Sequence, residues 1–255
     1  MINNLMDTVL SQALRPDQAA LWALGQAGYL IRSAGKTVVI DPYLSDSVGA
    51  SNPDFKRVFP PPLAPEELRA DIFIVTHDHL DHLDPDTIRP YRHKSTTHFV
   101  APRLACGTLR DLGVPESSIV KLDSGAECVI DGVAVRGVYA VPTEPKVLDT
   151  TGYQITFPNG RNICHTADTA WSPLLLQTTP STEVLLACIN GKWGNLSVAE
   201  AVELTARVSP RYAVPMHYDL MALNSENPQS FAYFLRQKNP AVDVRILAPS
   251  DSFVW

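Results

Sequence analysis

Three of the chain's seven histidines fall within six residues, in the run His77-Asp78-His79-Leu80-Asp81-His82. Imidazole is the commonest metal-binding side chain, and two positions two apart in extended chain project to the same side, so His77 and His79 can face one cation. Asp81 and His82 follow where the chain must turn toward a helix, with Asp84 as N-cap and Pro85 as first helical residue, so they can reach around to a second cation. A lone histidine here would read as part of a polar, solvated loop. Three histidines with two or three carboxylates at one place read as a metal site.

The elements that must position this cluster are short apolar runs ending in polar residues. Ile72-Phe73-Ile74-Val75, preceded by Asp71, is a buried strand by composition, and the cluster starts where that strand leaves its sheet. Asp41, Glu144, Asp168 and His217 likewise stand at or just past the end of an expected strand. Loop residues carried on one edge of a rigid sheet pair are where sites are built.

Along the chain, Leu5 to Ala20 has a loosely helical apolar spacing broken at Pro16, consistent with a docking helix or an oligomer contact. Leu21 to Ile31 and Lys36 to Ile40 flank Ser33-Ala34-Gly35 as a hairpin. Ser45 to Pro65, with Pro60-Pro61-Pro62, shows no period and reads as a loop that can close over a substrate. Strands follow at 97–100 and 119–122, with a helix over 102–112 between them. Asp131-Gly132 predicts a type I′ hairpin joining 127–130 to 133–141, and a second hairpin joins 152–157 to 162–165. Val184 to Ile189 reads as a buried strand. Ser197 and Glu200 form a capping box opening a helix to about Val208; a strand over 212–215, a helix over 228–237 and a closing strand over 244–247 complete the chain. Two runs of strands, each followed by helices, predict an α/β protein in which two sheets pack face to face with helices outside, a four-layer αββα sandwich. No linker interrupts the 255 residues, which are expected to form a single domain with an N-terminal helical extension over residues 1–20.

Composition narrows the partners. The net charge is −6 and no Lys/Arg cluster is present, so the electrostatic footprint of a nucleic-acid binder is missing. No basic N-terminal region leads into an apolar core and no window approaches a membrane span, so a cytoplasmic protein acting on a small molecule is expected, without nucleic-acid or membrane partners and as a homo-oligomer. Cys106, Cys128, Cys164 and Cys188 are scattered and read as reduced, mostly buried small hydrophobes.

The His-x-His-x-Asp-His pattern after an apolar strand resembles the metallo-β-lactamase superfamily. The resemblance extends over Leu24-Gly25, Gly28 to Ile31 and Ile40-Asp41-Pro42, then Thr76 to His82, His165-Thr166-Ala167-Asp168 and Pro215-Met216-His217. The last two segments look most like the L-ascorbate-6-phosphate lactonase-like branch. The resemblance implies His77 and His79 as ligands of one metal, Asp81, His82 and His217 as ligands of another, and Asp168 as the bridging carboxylate. It makes Asp81, Asp168 and His217 the catalytic set. Asp41 then holds a metal-binding imidazole by its other nitrogen, although an Asp before Pro42 is also an ordinary turn opener.

One position departs from the commoner pattern: where most relatives offer a third histidine for the first metal, this chain has Pro142-Thr143-Glu144-Pro145. Glu144 can substitute as an oxygen ligand, or face solvent while the prolines shape the turn, leaving the first metal to Asp149 or water. An oxygen donor tilts preference toward Mn²⁺ relative to an all-histidine zinc site, so Mn²⁺ or Zn²⁺, one or two per chain, is the expected cofactor. His165 either hydrogen-bonds within the site or is a satisfied structural histidine. Asn190, Lys192 and Asn195 lie just before a helix N-terminus, which favours anions, and are expected to bind a substrate phosphate.

The resemblance therefore implies a metal-dependent hydrolase opening the lactone of a small phosphorylated sugar acid such as L-ascorbate 6-phosphate. A phosphodiesterase or nuclease on the same fold is the alternative enzyme, and a non-catalytic metal-binding module the alternative from another class; a shared carboxylate at Asp168 argues against the module, since purely structural sites are closed.

Overall fold

The computed structural model describes residues 5–145 and 147–255. Two seven-stranded sheets stack face to face. The first has the order β14-β1-β2-β3-β4-β5-β6, built from β1 (Ala19–Gly25), β2 (Gly28–Ser33), β3 (Lys36–Ile40), β4 (Ile72–Ile74), β5 (His98–Ala101), β6 (Ile119–Lys121) and, from the far end of the chain, β14 (Ser252–Val254). The second has the order β13-β12-β11-β10-β9-β8-β7, from β7 (Glu127–Ile130), β8 (Val133–Tyr139), β9 (Thr151–Thr156), β10 (Asn162–His165), β11 (Val184–Cys188), β12 (Tyr212–Met216) and β13 (Asp243–Val244).

The inner faces supply one core, with Ile31, Val38, Ile40 and Ile74 of the first sheet in the same cluster as Val135, Ile155, Leu186 and Val214 of the second. Alternation along each strand sends the other residues outward, where they need helices to cover them. Phe73, Val39 and Phe99 pack with Ala105 and Leu109 of α4 (Arg103–Asp111), which follows the short helices α2 (Ser47–Ser51) and α3 (Pro85–Ile88) in the chain, on one side. Leu185 and Ala213 pack, together with Leu175 of α5 (Leu175–Thr178), with Ala201 and Leu204 of α6 (Val198–Val208) and Phe231 and Leu235 of α7 (Pro228–Lys238) on the other. The four-layer αββα sandwich expected from the strand and helix runs is the architecture observed.

Several local expectations hold in detail. Asp131 and Gly132 both have positive φ, as a type I′ turn requires. The capping box at Ser197 and Glu200 forms as read.

Three expectations change. The helical extension is one short helix, α1 (Leu5–Ser11), and β1 begins at Ala19; residues 1–4 of the expected extension lie outside the described residues. The run 21–31 is two strands, because Gly25 at φ 95° and Gln26 at φ 54° turn the chain back at once. Gly28 on the far side of that turn has no room for a side chain, since a Cβ there would sit 2.9 Å from the Asp41 carbonyl oxygen. The closing strand over 244–247 amounts to Asp243–Val244 only; the chain leaves the second sheet, turns at 249–250 and adds Ser252–Val254 to β1 of the first sheet.

Within the first sheet β3, β4, β5 and β6 run parallel, and within the second β10, β11, β12 and β13 do. Their carboxyl ends open on the same edge of the sandwich. Parallel sheets place ligands at the carboxyl ends of their strands, and here β3, β4, β10 and β12 deliver Asp41, His77, Asp168 and His217 to that edge.

Candidate metal centre

His77 leaves β4 fully buried. Its Nδ1 lies 2.9 Å from Thr76 Oγ1, whose own hydrogen goes to Asp41 Oδ2 at 2.6 Å. With the hydroxyl hydrogen engaged, His77 Nδ1 must donate, and the lone pair of Nε2 faces inward. Burial, reinforced by the neighbouring His82, keeps this imidazole well below the ordinary histidine pKa and therefore neutral.

Asp41, at φ 44°, also accepts from the Thr76 N–H at 2.8 Å and from His82 Nδ1 at 2.7 Å. It is thus the carboxylate that fixes the His82 ring and turns His82 Nε2 toward the centre. His217 follows β12 with φ 68°, and its N–H donates to the Gln26 carbonyl across the two sheets at 2.9 Å. Asp168 follows Ala167 at φ 59°. Non-glycine residues in the left-handed region are costly, and here Gln26, Asp41, Ala167 and His217 share one sheet edge, where the surrounding hydrogen bonds hold them.

The donors converge. His77, His82 and Asp168 each offer an atom within 4.8 Å of the others, and so do Asp81, His82 and His217. His217 Nε2 is 3.2 Å from Asp168 Oδ2 and 3.4 Å from Asp81 Oδ2, while His82 Nε2 is 3.5 Å from Asp168 Oδ1 and 3.7 Å from Asp81 Oδ2. Most of these separations are long for hydrogen bonds. They sit close to the roughly 3.3 Å between adjacent donors on a tetrahedral ion with bonds near 2.0–2.1 Å. His82 Nε2 and Asp168 Oδ1 are moreover buried with no hydrogen-bond partner, a costly state unless a cation completes them. The residues present fit a divalent metal.

The electrostatics agree. Burial works against protonation of His217, yet Asp168 and Asp81 outweigh it and carry its pKa up to about 9. His82 is likewise raised well above its usual value against burial, by Asp168, Asp81 and Asp41. Burial would raise Asp168 and Asp81, but the two imidazoles hold both below the usual carboxylate range. The buried Asp168 and the half-buried Asp81 demand positive charge between them, and in the metal-free protein imidazolium protons supply it.

His79 stands apart from this knot: its Nδ1 contacts His77 Nε2 at 2.9 Å, and its Nε2 faces Glu144 Oε2 at 3.7 Å. The geometry leaves His77 and His79 side by side, as two ligands of one ion would be, and also brings His77 together with His82 and Asp168. Glu144 is exposed and, among the described residues, its side chain reaches the centre through His79. Asp149 is engaged elsewhere, accepting from the Leu104 N–H at the start of α4. His165 resolves as the structural reading: its Nε2 donates to the Ala27 carbonyl and its Nδ1 accepts from the Ala167 N–H, so both nitrogens are engaged.

The residues expected at a substrate phosphate each have a partner within the fold. Asn190 is fully buried, its amide donating to Asn224 and accepting from Cys188. Lys192 donates to the Ser225 carbonyl. The N-terminus of α6 is already served by its own Glu200, whose carboxylate accepts from the Ser197 N–H and hydroxyl and would repel a further anion. Asn195 does reach the centre, but as a donor to Asp168 Oδ2 at 2.8 Å, where it orients that carboxylate.

Gln26 joins the centre without being among the residues the sequence marks. It is buried in the β1–β2 turn, its Nε2 donates to Asp81 Oδ2 at 2.8 Å and lies 3.2 Å from His217 Nε2, and its Oε1 has no partner. The only sequence signal was the pair of glycines around it, Gly25 and Gly28.

The chain is similar to the UPF0173 metal-dependent hydrolase of Archaeoglobus fulgidus, with 28% identity over 240 residues covering 90% of this chain and 96% of that protein. It is also similar to a UPF0173 protein of Pyrococcus furiosus, at 26% identity over 230 residues covering 90% and 96%. Among solved structures, Igni18, a metallo hydrolase from Ignicoccus hospitalis, superimposes with a TM-score of 0.73 at 19% identity over 93% of this chain and 98% of that one. An isothiocyanate hydrolase from Delia radicum gut bacteria shares the fold equally, with a TM-score of 0.73 at 17% identity over 92% and 98%. Residues 36–218, most of the chain, match the family described as the Beta-lactamase superfamily domain, and the chain belongs to that family.

Proposed function

We propose that the chain is a metal-dependent hydrolase that cleaves a small carboxylic ester or lactone. The observation that carries this reading is the buried, unpartnered pair His82 Nε2 and Asp168 Oδ1 inside a ring of donors spaced for a divalent ion. One or two cations held by the groups His77, His82, Asp168 and Asp81, His82, His217 would acidify water toward a pKa of about 7 and polarise a scissile carbonyl. The mixed imidazole and carboxylate set suits zinc or manganese.

The chain's own residues do the rest. Asp41 fixes the His82 ring, Asn195 orients Asp168, and Gln26 orients Asp81 while leaving Oε1 free as an acceptor. In the net reaction water adds its oxygen to the acyl carbon, the acyl–oxygen bond breaks, and the departing alkoxide takes a proton. Asp81, partly exposed at the rim of the centre and close to His217, is placed to move that proton. The lactonase-like resemblance supports the ester or lactone class. With Asn190 buried against Asn224, the exposed Lys192 donating to the Ser225 carbonyl and the α6 N-terminus served by Glu200, the substrate phosphate has no such support.

The test is metal analysis of the purified protein followed by turnover of a panel of lactones and carboxylic esters against phosphodiesters. Ester or lactone turnover that is lost on chelation and restored by zinc or manganese is expected. Turnover of phosphodiesters alone, or unchanged turnover after metal removal, would overturn the reading.

A further inference from the structure

A cavity of about 470 Å³, within the size range of small-molecule sites, lies beside the metal centre and shares Gln26 with it. Its walls include Phe59 and Pro61 of the proline loop, Leu220 just past His217, and Leu247 and Ala248 of the segment that crosses between the sheets. Among the described residues no Lys, Arg or His lines it. The one carboxylate on the wall, Asp219, is exposed and already accepts from the Ser225 hydroxyl. The Tyr218 phenol is pushed up to about 12 by burial and donates to the Leu247 carbonyl, so it brings no charge. Phe59 stays 45% exposed, apolar surface that a ligand would cover.

We propose that this cavity seats the apolar acyl chain of the substrate, so that the enzyme acts on uncharged esters of medium-chain carboxylic acids rather than on phosphorylated sugar acids. The inference rests on the hydrolytic reading above and names its substrate class. A cavity with no cation and an exposed carboxylate repels a phosphate, whereas each methylene moved from water into apolar walls is favourable. Gln26 places the two regions in register, because it lines the cavity and touches Asp81 and His217. A chain in the cavity would leave its carbonyl near that contact.

The experiment uses methyl acetate, methyl butanoate and methyl octanoate with the metal-loaded protein, following acid release, together with calorimetric binding of acetate and octanoate. Ala248 lies in the crossing segment and belongs to no part of the metal centre, so Ala248→Trp fills the cavity without touching the chemistry. The expected result is a kcat/KM at least about tenfold higher for octanoate ester than for acetate ester, with Ala248→Trp lowering the octanoate ester value far more than the acetate ester value and so removing that difference. Equal kcat/KM across chain lengths, or an equal loss on both esters in the variant, would overturn the cavity assignment and leave the hydrolytic reading standing. If neither these esters nor the lactones of the panel above are cleaved, the ester or lactone reading fails and the binding measurement decides the cavity. Octanoate binding at least about tenfold tighter than acetate and weakened by Ala248→Trp sustains it; equal binding overturns it. Should Ala248→Trp fail to fold by circular dichroism, Ala248→Leu is expected to give the same change in smaller measure.

Discussion

His82 Nε2 and Asp168 Oδ1 lie 3.5 Å apart, both buried and neither within hydrogen-bonding distance of a partner among the described residues. They come from opposite sheets, one past β4 and the other past β10, and their ring and carboxylate are each held from behind, by Asp41 and by Asn195. A pair so supported and so separated is preorganised for a third body between them.

Asp168→Asn keeps the shape of that carboxylate and removes its charge. Bound metal is expected to fall well below the wild-type stoichiometry and hydrolysis to drop by more than about a hundredfold, since the charge that offsets cationic repulsion is lost. Elemental analysis alongside steady-state turnover checks this, and wild-type values for both would remove Asp168 from the centre.

Asp41→Asn leaves every metal-facing donor in place but weakens the acceptor on His82 Nδ1. Metal affinity is expected to fall about 10–100-fold, measured by competition with a chromogenic chelator. An unchanged affinity would reduce Asp41 to a turn residue before Pro42.

The metal-free protein should lose stability as pH rises. An unfolded histidine titrates near 6.5, whereas His217 in the fold is carried up to about 9. Below about 6.5 both states hold the proton and the ion pairing contributes in full; from there through about 9 the folded state holds a proton that the unfolded chain has released, so the contribution is lost with rising pH. Asp168 acts in the opposite direction, contributing above the unfolded carboxylate value of about 3.9 and losing its contribution as pH falls through its depressed folded value. Denaturant titrations of the chelated protein should show stability falling by on the order of 1–3 kcal/mol between pH 6.5 and 9.5. A flat or rising profile would contradict the buried His217 ion pair.

Glu144→Ala should change metal stoichiometry little, because an exposed carboxylate 3.7 Å from His79 Nε2 is worth little as an ion pair. Less than about a threefold change in metal affinity is expected. Loss of one metal equivalent in the variant would instead make Glu144 a direct ligand. Glu144→His, titrated with zinc and manganese, would then shift preference toward zinc.

Features set by neighbours in the chain could be read from the sequence alone. The His77 to His82 cluster is local, with its donors fixed by one strand end and one capped turn. The capping box at Ser197 and the turn at Asp131-Gly132 follow from residue types a few positions apart. The layered fold follows from alternation and from strands punctuated by helices, since each sheet must bury one face on its partner and the other on helices.

Pairings across long stretches of chain were decided by the tertiary structure. Nothing near Gln26 says that a tight turn will lower it onto Asp81 and His217, because that contact exists only once the two sheets stack. Nothing near Ser252 to Val254 says that the chain will return to β1, since so short a strand carries no period of its own. Asn190, Lys192 and Asn195 stand before a capped helix in a pattern that suits an anion, yet Asn224, Ser225 and Asp168 from other elements engage all three. Residue types and spacing show which groups are available, but polar groups in a folded interior bind whichever partner the packing brings within about 3 Å.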